Sequence, residues 1–236
     1  MESGISTMLL AYKEEENLRV LLPQIIERLE KTGEKYEIIV VDTKVPMDNT
    51  EGVCKEFGAK YVNQELPGFG GAYRKGIEMA SYDKLLALDS DGSHRPEYIT
   101  PMYEMFSQGY NVVIGSRYVK GGSTCDAKSS QIMSRILNTV FRIVTGVKAK
   151  DLSTNFRFYR TEELKKFELT SVNYDVLEEV LLKLKLLSKK NFRIGEVPIK
   201  FVKRTFGESK RRLLPFIWSY FKTMFKLLGI RIRGKV

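Results

Sequence analysis

Lys84-Leu85-Leu86-Ala87-Leu88-Asp89-Ser90-Asp91-Gly92-Ser93-His94 reads as a buried strand that stops abruptly at two carboxylates one residue apart. The apolar run is too short for a typical helix and is bounded by polar residues. In an open α/β sheet, ligands bind outside the carboxyl ends of such strands. An Asp-x-Asp placed there can hold a hard divalent cation through oxygen while leaving positions for a substrate's phosphates. The same residues also suit an Asx-type turn, in which Asp and Gly serve the backbone alone. Taken by itself, the stretch leaves both readings open. An EF-hand loop is excluded, because the sixth place counted from Asp89 is His94 instead of Gly and the twelfth is Thr100 instead of Glu.

The flanking sequence alternates strand and helix. Residues 5–11 predict a first strand, and a helix follows with apolar positions at Leu18, Leu21, Leu22, Ile25, Ile26 and Leu29, closed by Gly33. Residues 36–41 carry the continuous run Ile38-Ile39-Val40-Val41, which suits a parallel strand covered on both faces, and it too ends in an acid, Asp42. A short helix to about Phe57 and a strand over 59–62 come next. Pro67-Gly68-Phe69-Gly70-Gly71-Ala72-Tyr73 then opens a helix through Ala80. Its glycines could cradle phosphate through free amides, but there is no Walker lysine, and a tight strand-to-helix connection explains them equally well. Beyond the Asp-x-Asp strand, Pro96 starts a helix reaching Phe106 and residues 110–115 form another buried strand. Residues 120–130 predict a mobile loop and 132–144 an amphipathic helix. Residues 151–160 read as a loop entering a strand, 174–187 as a helix carrying Glu178-Glu179, and 192–201 as a strand. Such alternation predicts a mostly parallel sheet with right-handed crossovers.

A chain of 236 residues with 43% hydrophobic content can bury one good core. No charged-then-apolar leader pattern opens the sequence, so secretion is not expected. Cys54 and Cys125 lack Cys-x-x-Cys spacing and suit a reducing compartment, and with a single His they are too few for a structural zinc site. The net charge of +10 is confined to one end: residues 200–236 hold eleven Lys or Arg against Glu208 alone, and residues 1–199 balance. Residues 1–210 are therefore expected to form the catalytic domain and 211–236 a basic amphipathic segment. Within 213–228 the polar Ser219, Lys222, Thr223 and Lys226 share one narrow helical face, and Phe216, Ile217, Trp218, Phe221, Met224, Phe225 and Leu228 cover the rest. Such a helix suits a membrane interface and is too interrupted by charge for a span. The alternative is a helix packed on the catalytic domain.

Seven motifs in order, Tyr12-Lys13-Glu14, Val41-Asp42, Gly68 to Ala72, Leu88 to Glu97, Gly115-Ser116-Arg117-Tyr118, Asn155-Phe156-Arg157 and Glu196-Val197-Pro198-Ile199 to Lys210, resemble the family 2 glycosyltransferases of the GT-A fold. The branch they are most similar to is the dolichol-phosphate mannose synthases and other polyprenyl-phosphate glycosyltransferases. The resemblance implies a Rossmann-like, mostly parallel central sheet flanked by helices, with the C-terminal amphipathic helix as an appendage. It implies a GDP- or UDP-hexose donor, with Tyr12, Glu14 and Asp42 at the nucleoside and Gly70, Ser90 and Lys210 among the donor-binding residues. Asp89 and Asp91 would hold Mg²⁺ or Mn²⁺ against the diphosphate, with Ser93 standing where the family usually has Gln. Arg117 and Arg204 would join Asp91 as catalytic residues by adding positive charge around the phosphates. For the acceptor, the resemblance points to Ser123, Lys128, Arg135 and Glu179, the second and third in place of an arginine pair that here reads Ser130-Gln131.

A lipid monophosphate acceptor has a second pKa of about 6 and needs no base to attack the anomeric carbon with inversion. A glycan hydroxyl acceptor would need one, and Glu178 or Glu179 is then the residue to test, with Glu179 favoured by its match to the family. The implied location is peripheral, on the cytoplasmic face of a membrane. Nucleic acid ranks last as a partner, because it would leave the tail's apolar face exposed.

Overall fold

The computed structural model describes residues 1–206 and 213–234, without the side chains of 213–221; Lys210 lies outside the described residues. Strands β1 (Glu2–Leu10), β2 (Tyr36–Asp42), β3 (Lys60–Asn63) and β4 (Tyr82–Asp89) alternate with helices α1 (Glu15–Glu30), α2 (Thr50–Glu56) and α3 (Gly68–Met79). A 3₁₀ turn at Pro96–Tyr98 leads into α4 (Ile99–Phe106) and β5 (Val112–Ser116). The rest comprises β6 (Ser123–Thr124), α5 (Lys128–Thr145), β7 (Arg157–Arg160), α6 (Thr161–Leu164), α7 (Val176–Ser188), β8 (Ile194–Pro198), β9 (Lys200–Phe201) and α8 (Leu213–Arg233).

Seven strands form one sheet in the order β3-β2-β1-β4-β7-β5-β8. All neighbours are parallel except β7, which runs antiparallel to β4 and β5. Side chains alternate across the sheet, as strand geometry requires. Leu85 and Ala87 of β4 join Ile39 and Val41 of β2 in the core beneath α3, α5 and α7. Leu86 and Leu88 join Ile38 and Val40 in the core beneath α1, α2 and α4. Burial on both faces explains why these strands read as unbroken apolar runs.

Two features depart from expectation, and a third is one of the two readings left open for the C-terminal helix. The strand expected over 192–201 is split, because after Pro198 the chain leaves the main sheet and β9 pairs with β6. The segment 120–130, expected as a loop, supplies that partner strand and the first turn of α5. The appended helix α8 packs on α5 and α7. Two of its polar side chains reach the domain: Thr223 Oγ1 donates to Asp175 Oδ2 (3.1 Å) and Lys226 Nζ to Glu179 Oε2 (3.0 Å), with Leu227 fully buried beside them, while Lys222 and Arg233 are exposed. Among the described residues no helix is long and apolar enough to cross a membrane.

Candidate active site

The carboxyl ends of β1, β4 and β5 carry the acids and bases singled out from the sequence. β4 ends at Asp89, and Ser90, 4% exposed, donates its hydroxyl to the carbonyl of Leu10 (2.7 Å), lacing the β4 end to the β1 end. Gly92 sits at φ +78°, and a Cβ there would meet Thr205 Oγ1 at 2.5 Å, so only glycine fits under the chain that crosses above. Ser93 is buried and donates both its amide (3.0 Å) and its hydroxyl (2.5 Å) to Asp91 Oδ1. Burial raises the Asp91 carboxyl, but the two bonds from Ser93 together with nearby positive charge, Arg204 included, hold the group below its ordinary value. In this geometry Ser93, the residue expected beside Asp89 and Asp91 at the metal, orients the Asp91 carboxylate.

Asp89 is pinned from a direction that the strand order does not announce. β7 begins beside the end of β4, with Arg157 opposite Ala87. The loop before β7 therefore lies over the carboxyl ends of β4 and β5, and Asn155 Nδ2 donates to Asp89 Oδ1 (3.1 Å). His94, 1% exposed, accepts the Asp89 amide on Nδ1 (3.0 Å) and stacks on Phe156 with ring centroids 5.2 Å apart. With Nδ1 accepting, the ring is the neutral Nε2–H tautomer and donates to Thr154 Oγ1 (3.2 Å). Burial depresses the imidazole further, against the opposing pull of Asp89 and Asp91.

The chain leaving β9 crosses this turn, with the Val202 amide donating to the Ser93 carbonyl (3.2 Å) and the Thr205 amide to the Asp91 carbonyl (3.0 Å). That path lays Arg204 between two acids: Nη2 lies 3.1 Å from Asp91 Oδ2 and 3.4 Å from Glu14 Oε1. Glu14 is in turn bonded by Asn17 Nδ2 (2.6 Å), so the β1 end and the β4 end share one charged network. Asp42, 1% exposed at the end of β2, accepts from Tyr61 Oη (3.0 Å) and the Thr43 amide (2.7 Å); Tyr12 lies exposed beyond β1.

Arg117 and the expected acceptor residues occupy the other flank. Arg117 is clamped by Asp151 in a two-pronged pair, Nε to Oδ2 at 2.7 Å and Nη2 to Oδ1 at 2.8 Å, and Nη2 also donates to Ser153 Oγ (3.0 Å). Burial would lower its pKa, but Asp151 outweighs burial and raises it, so the guanidinium is permanently charged. Arg135 lies over the Tyr118 ring at 5.3 Å, which brings the start of α5 to the same flank; Lys128 and Ser123 are exposed there.

Gly70 and Glu179 make bonds within the fold. The Gly70 amide donates to the Val172 carbonyl (2.8 Å), and a Cβ on Gly70 would stand 2.0 Å from the Ser171 carbonyl oxygen. The glycines at the start of α3 thus serve close packing, and Gly70 offers no free amide to a phosphate. Glu179 is fully buried and accepts from the amides of Thr170 (3.1 Å) and Ser171 (2.8 Å), with Lys183 and Lys226 beside it. Burial opposes ionisation, but the Ser171 and Lys226 bonds dominate and draw its pKa down to about 2, which makes it a poor proton acceptor. Its neighbour Glu178 is also fully buried, with no hydrogen-bond partner on either oxygen, and burial pushes it up to about 8.

Asn155, Asp151 and Arg157 shape the site without having been assigned a distinct local role from the sequence. Asn155 and Arg157 stood out only within the Asn155-Phe156-Arg157 motif of the resemblance, and Asp151 only within a run of polar residues ahead of a short strand; their importance follows from the antiparallel insertion of β7. Arg157 is wholly buried, donating to the carbonyls of Leu152 (2.5 Å) and Leu177 (2.8 Å).

The donor set fits a hard cation. Asp89 and Asp91 supply carboxylate oxygens, and among the described residues no third His, Cys, Asp or Glu completes a protein cage. Mg²⁺ is characteristically held by one or two carboxylates with the remaining positions left to water and substrate phosphate. Asp91 Oδ2 already faces a positive charge in Arg204, the partner that a cation would share or displace.

The model of the glycosyl transferase family 2 matches residues 6–167. A dolichol-phosphate mannosyltransferase of Pyrococcus furiosus is 31% identical over 95% of this chain, which spans 63% of that protein's length. A polyprenol monophosphomannose synthase of Mycolicibacterium smegmatis is 30% identical over 95% of this chain and 86% of its own length. An undecaprenyl-phosphate mannosyltransferase of Micrococcus luteus is 31% identical over 87% of this chain and 86% of its own. In fold, the chain matches glucosyl-3-phosphoglycerate synthase of Mycobacterium tuberculosis, crystallised with Mn²⁺, UDP and glucosyl-3-phosphoglycerate, at a TM-score of 0.73 and 18% identity, covering 96% of this chain and 80% of that one.

Proposed function

The chain belongs to the family 2 glycosyltransferases, and we propose that it moves a hexose, mannose or glucose, from a GDP- or UDP-sugar to a dolichyl or polyprenyl phosphate. The reading rests on one arrangement above all: Arg204 bridges Glu14 and Asp91, joining the β1 end and the metal-binding turn into a single site. The names of the relatives support the acceptor class.

The nucleoside lies over the ends of β1 and β2, against Tyr12, Glu14 and Asp42, and the diphosphate reaches Asp89 and Asp91. A bound Mg²⁺ or Mn²⁺ supplies charge neutralisation to the departing diphosphate. Arg204 adds a second positive charge on the same side. On the opposite flank Arg117, fixed by Asp151 and Ser153, presents its charge to the acceptor phosphate, with Arg135 and Lys128 beside it. An oxygen of the lipid phosphate attacks the anomeric carbon as the bond from that carbon to the diphosphate oxygen breaks. The configuration inverts and the nucleoside diphosphate leaves with the bonding pair. The phosphate arrives mostly deprotonated, so no base is needed. This agrees with the burial and low pKa of Glu179, which disfavour the alternative acceptor, a glycan hydroxyl.

Thermal-shift measurements with GDP- and UDP-sugars, with and without Mn²⁺, test donor binding, since a ligand specific to the folded state raises the midpoint. Transfer from the stabilising sugar nucleotide to polyprenyl phosphate, abolished in Asp91→Ala, is the expected outcome. Transfer to a glycan hydroxyl with none to the lipid phosphate would overturn the reading.

A further inference from the structure

Two guanidinium groups meet on one ring. Tyr118 follows Arg117 at the end of β5, and a fully extended chain would send these neighbouring side chains to opposite sides. The chain bends instead: a Cβ on Gly122 would stand 2.5 Å from the Ser116 carbonyl oxygen, so the returning loop lies close against the strand end. In this bend Arg117 Cζ lies 5.1 Å from the centroid of the Tyr118 ring, and Arg135 Cζ, reaching over from α5, lies 5.3 Å from the same centroid. Phe201 of β9 covers Arg117 as well, at 5.4 Å. Of Lys128 and Arg135, both expected at the acceptor, only Arg135 reaches the Tyr118 ring among the described residues.

What the two arginines have left to offer differs. Arg117 spends Nε and Nη2 on Asp151 and Ser153, and its remaining Nη1 stands 3.9 Å from Asp126 Oδ2, beyond hydrogen-bond reach. One free prong leaves most of a phosphate monoester's oxygens unmet. Arg135 is exposed and makes no ion pair among the described residues, so its fork is available. Two like charges drawn to one ring repel each other; the negative face of the ring offsets part of that repulsion, and a bound dianion offsets the rest. The Tyr118 hydroxyl is buried and makes no hydrogen bond among the described residues, so the ring, not the hydroxyl, carries the contacts on this flank.

We propose that Tyr118 is a positioning residue for the transfer: its ring sets the guanidinium of Arg135 beside that of Arg117, so that a phosphate monoester meets one arginine held by Asp151 and a second held by the aromatic face. Arg135, not Lys128, then stands in for the arginine pair that here reads Ser130-Gln131, because a flat guanidinium stacks on a ring and still offers a forked pair of donors, whereas an ammonium is a point charge. The identity of the anion as an acceptor rests on the lipid-phosphate reading above. The pairing of ring and arginine does not.

The test is calorimetric binding of farnesyl phosphate to the full chain, with farnesol as the uncharged control, followed by transfer kinetics to the same phosphate. It compares wild type with Tyr118→Phe, Tyr118→Leu, Arg135→Ala and the double variant combining Tyr118→Leu with Arg135→Ala. Tyr118 is half-buried and Arg135 exposed, so the variants are expected to melt with wild type and to keep the Mn²⁺-dependent shift given by the sugar nucleotide. Tyr118→Met, which also removes the ring, replaces Tyr118→Leu if leucine unfolds the loop. Loss of the ring should weaken farnesyl phosphate about fivefold, the scale of one cation–π contact, and raise its KM while the KM of the sugar nucleotide stays unchanged. Tyr118→Phe should bind as wild type does. The double variant should be no weaker than Arg135→Ala, because the ring acts through that arginine. Equal losses in Tyr118→Phe and Tyr118→Leu, losses that multiply in the double variant, or a wild type that does not prefer farnesyl phosphate to farnesol would each overturn the proposal. The expected binding pattern without sugar transfer to farnesyl phosphate rejects the acceptor class and leaves the role of Tyr118 standing.

Discussion

Arg204 Nη2 donates to Asp91 Oδ2 across 3.1 Å between residues 113 apart in the chain. The contact sets positive charge on the carboxylate expected to face the cation and the diphosphate. Arg204→Ala should lower kcat/KM by about 10²-fold, the scale of losing one preorganised charged donor. Arg204→Lys should recover part of this, because lysine keeps the charge but not the forked geometry that spans Glu14 and Asp91. Steady-state kinetics in the donor checks both.

Asp89 and Asp91 should fail differently. Asp91→Asn removes the charge that faces Arg204 and should abolish Mn²⁺-dependent donor binding in a thermal-shift titration. Asp89→Asn should also lose metal-dependent binding, and it places a second amide opposite Asn155 Nδ2, which now donates to the carboxylate. Asn155→Ala should weaken Mn²⁺ affinity less than either, with the fold intact, because it removes one bond that aims Asp89. Chelation should erase the thermal shift given by the sugar nucleotide, and added Mn²⁺ should restore it.

Glu179 is a stability residue on this geometry. Glu179→Gln strips the partner from Lys183 and Lys226 and should cost about 3 kcal/mol, the scale of breaking a buried ion pair from one side. Urea unfolding measures the loss. Wild-type stability with activity reduced about 10²-fold or more would instead mark a catalytic base.

The two adjacent glutamates predict opposite limbs of a pH–stability profile. Glu179 has its folded pKa lowered to about 2, so its contribution is complete above its ordinary carboxylate value near 4.5 and is lost as pH falls toward 2. Glu178 has its folded pKa raised to about 8 from 4.5, so the folded chain binds the extra proton between those values and stability falls as pH rises through that window. Glu178→Gln should therefore raise the melting temperature at pH 8 relative to wild type and change it little at pH 4.5. Melting curves across pH 2 to 9 check the sign of both limbs.

Local pattern made much of this molecule legible. The apolar run 85–88 announced a strand covered on both faces, because each of its residues packs into one of two cores whichever way it points. Asp89 and Asp42 were legible because they terminate such runs, with Asp91 two residues on, whereas Glu14 was marked by the resemblance of its Tyr12-Lys13-Glu14 motif. Ser93 and Gly70 were visible as positions but not as roles, since a hydroxyl or an amide can serve a ligand or the fold, and only its bonded partner distinguishes them. Asn155 and Asp151 carried no periodic signal, because their place over the site comes from a strand inserted against the direction of its neighbours.

The sequence by itself determined the order of elements, the class of sheet and the acids at its carboxyl edge, because helix and strand periodicity and strand termini are local properties of the chain. Only the tertiary structure decided which charge meets which. The reversal of β7 put Asn155 on Asp89, the passage of the chain after β9 put Arg204 on Asp91, and the docking of α8 put Thr223 on Asp175 and Lys226 on Glu179. Each is a meeting of residues far apart in sequence, fixed by the packing of whole elements and so invisible to any window of neighbouring residues.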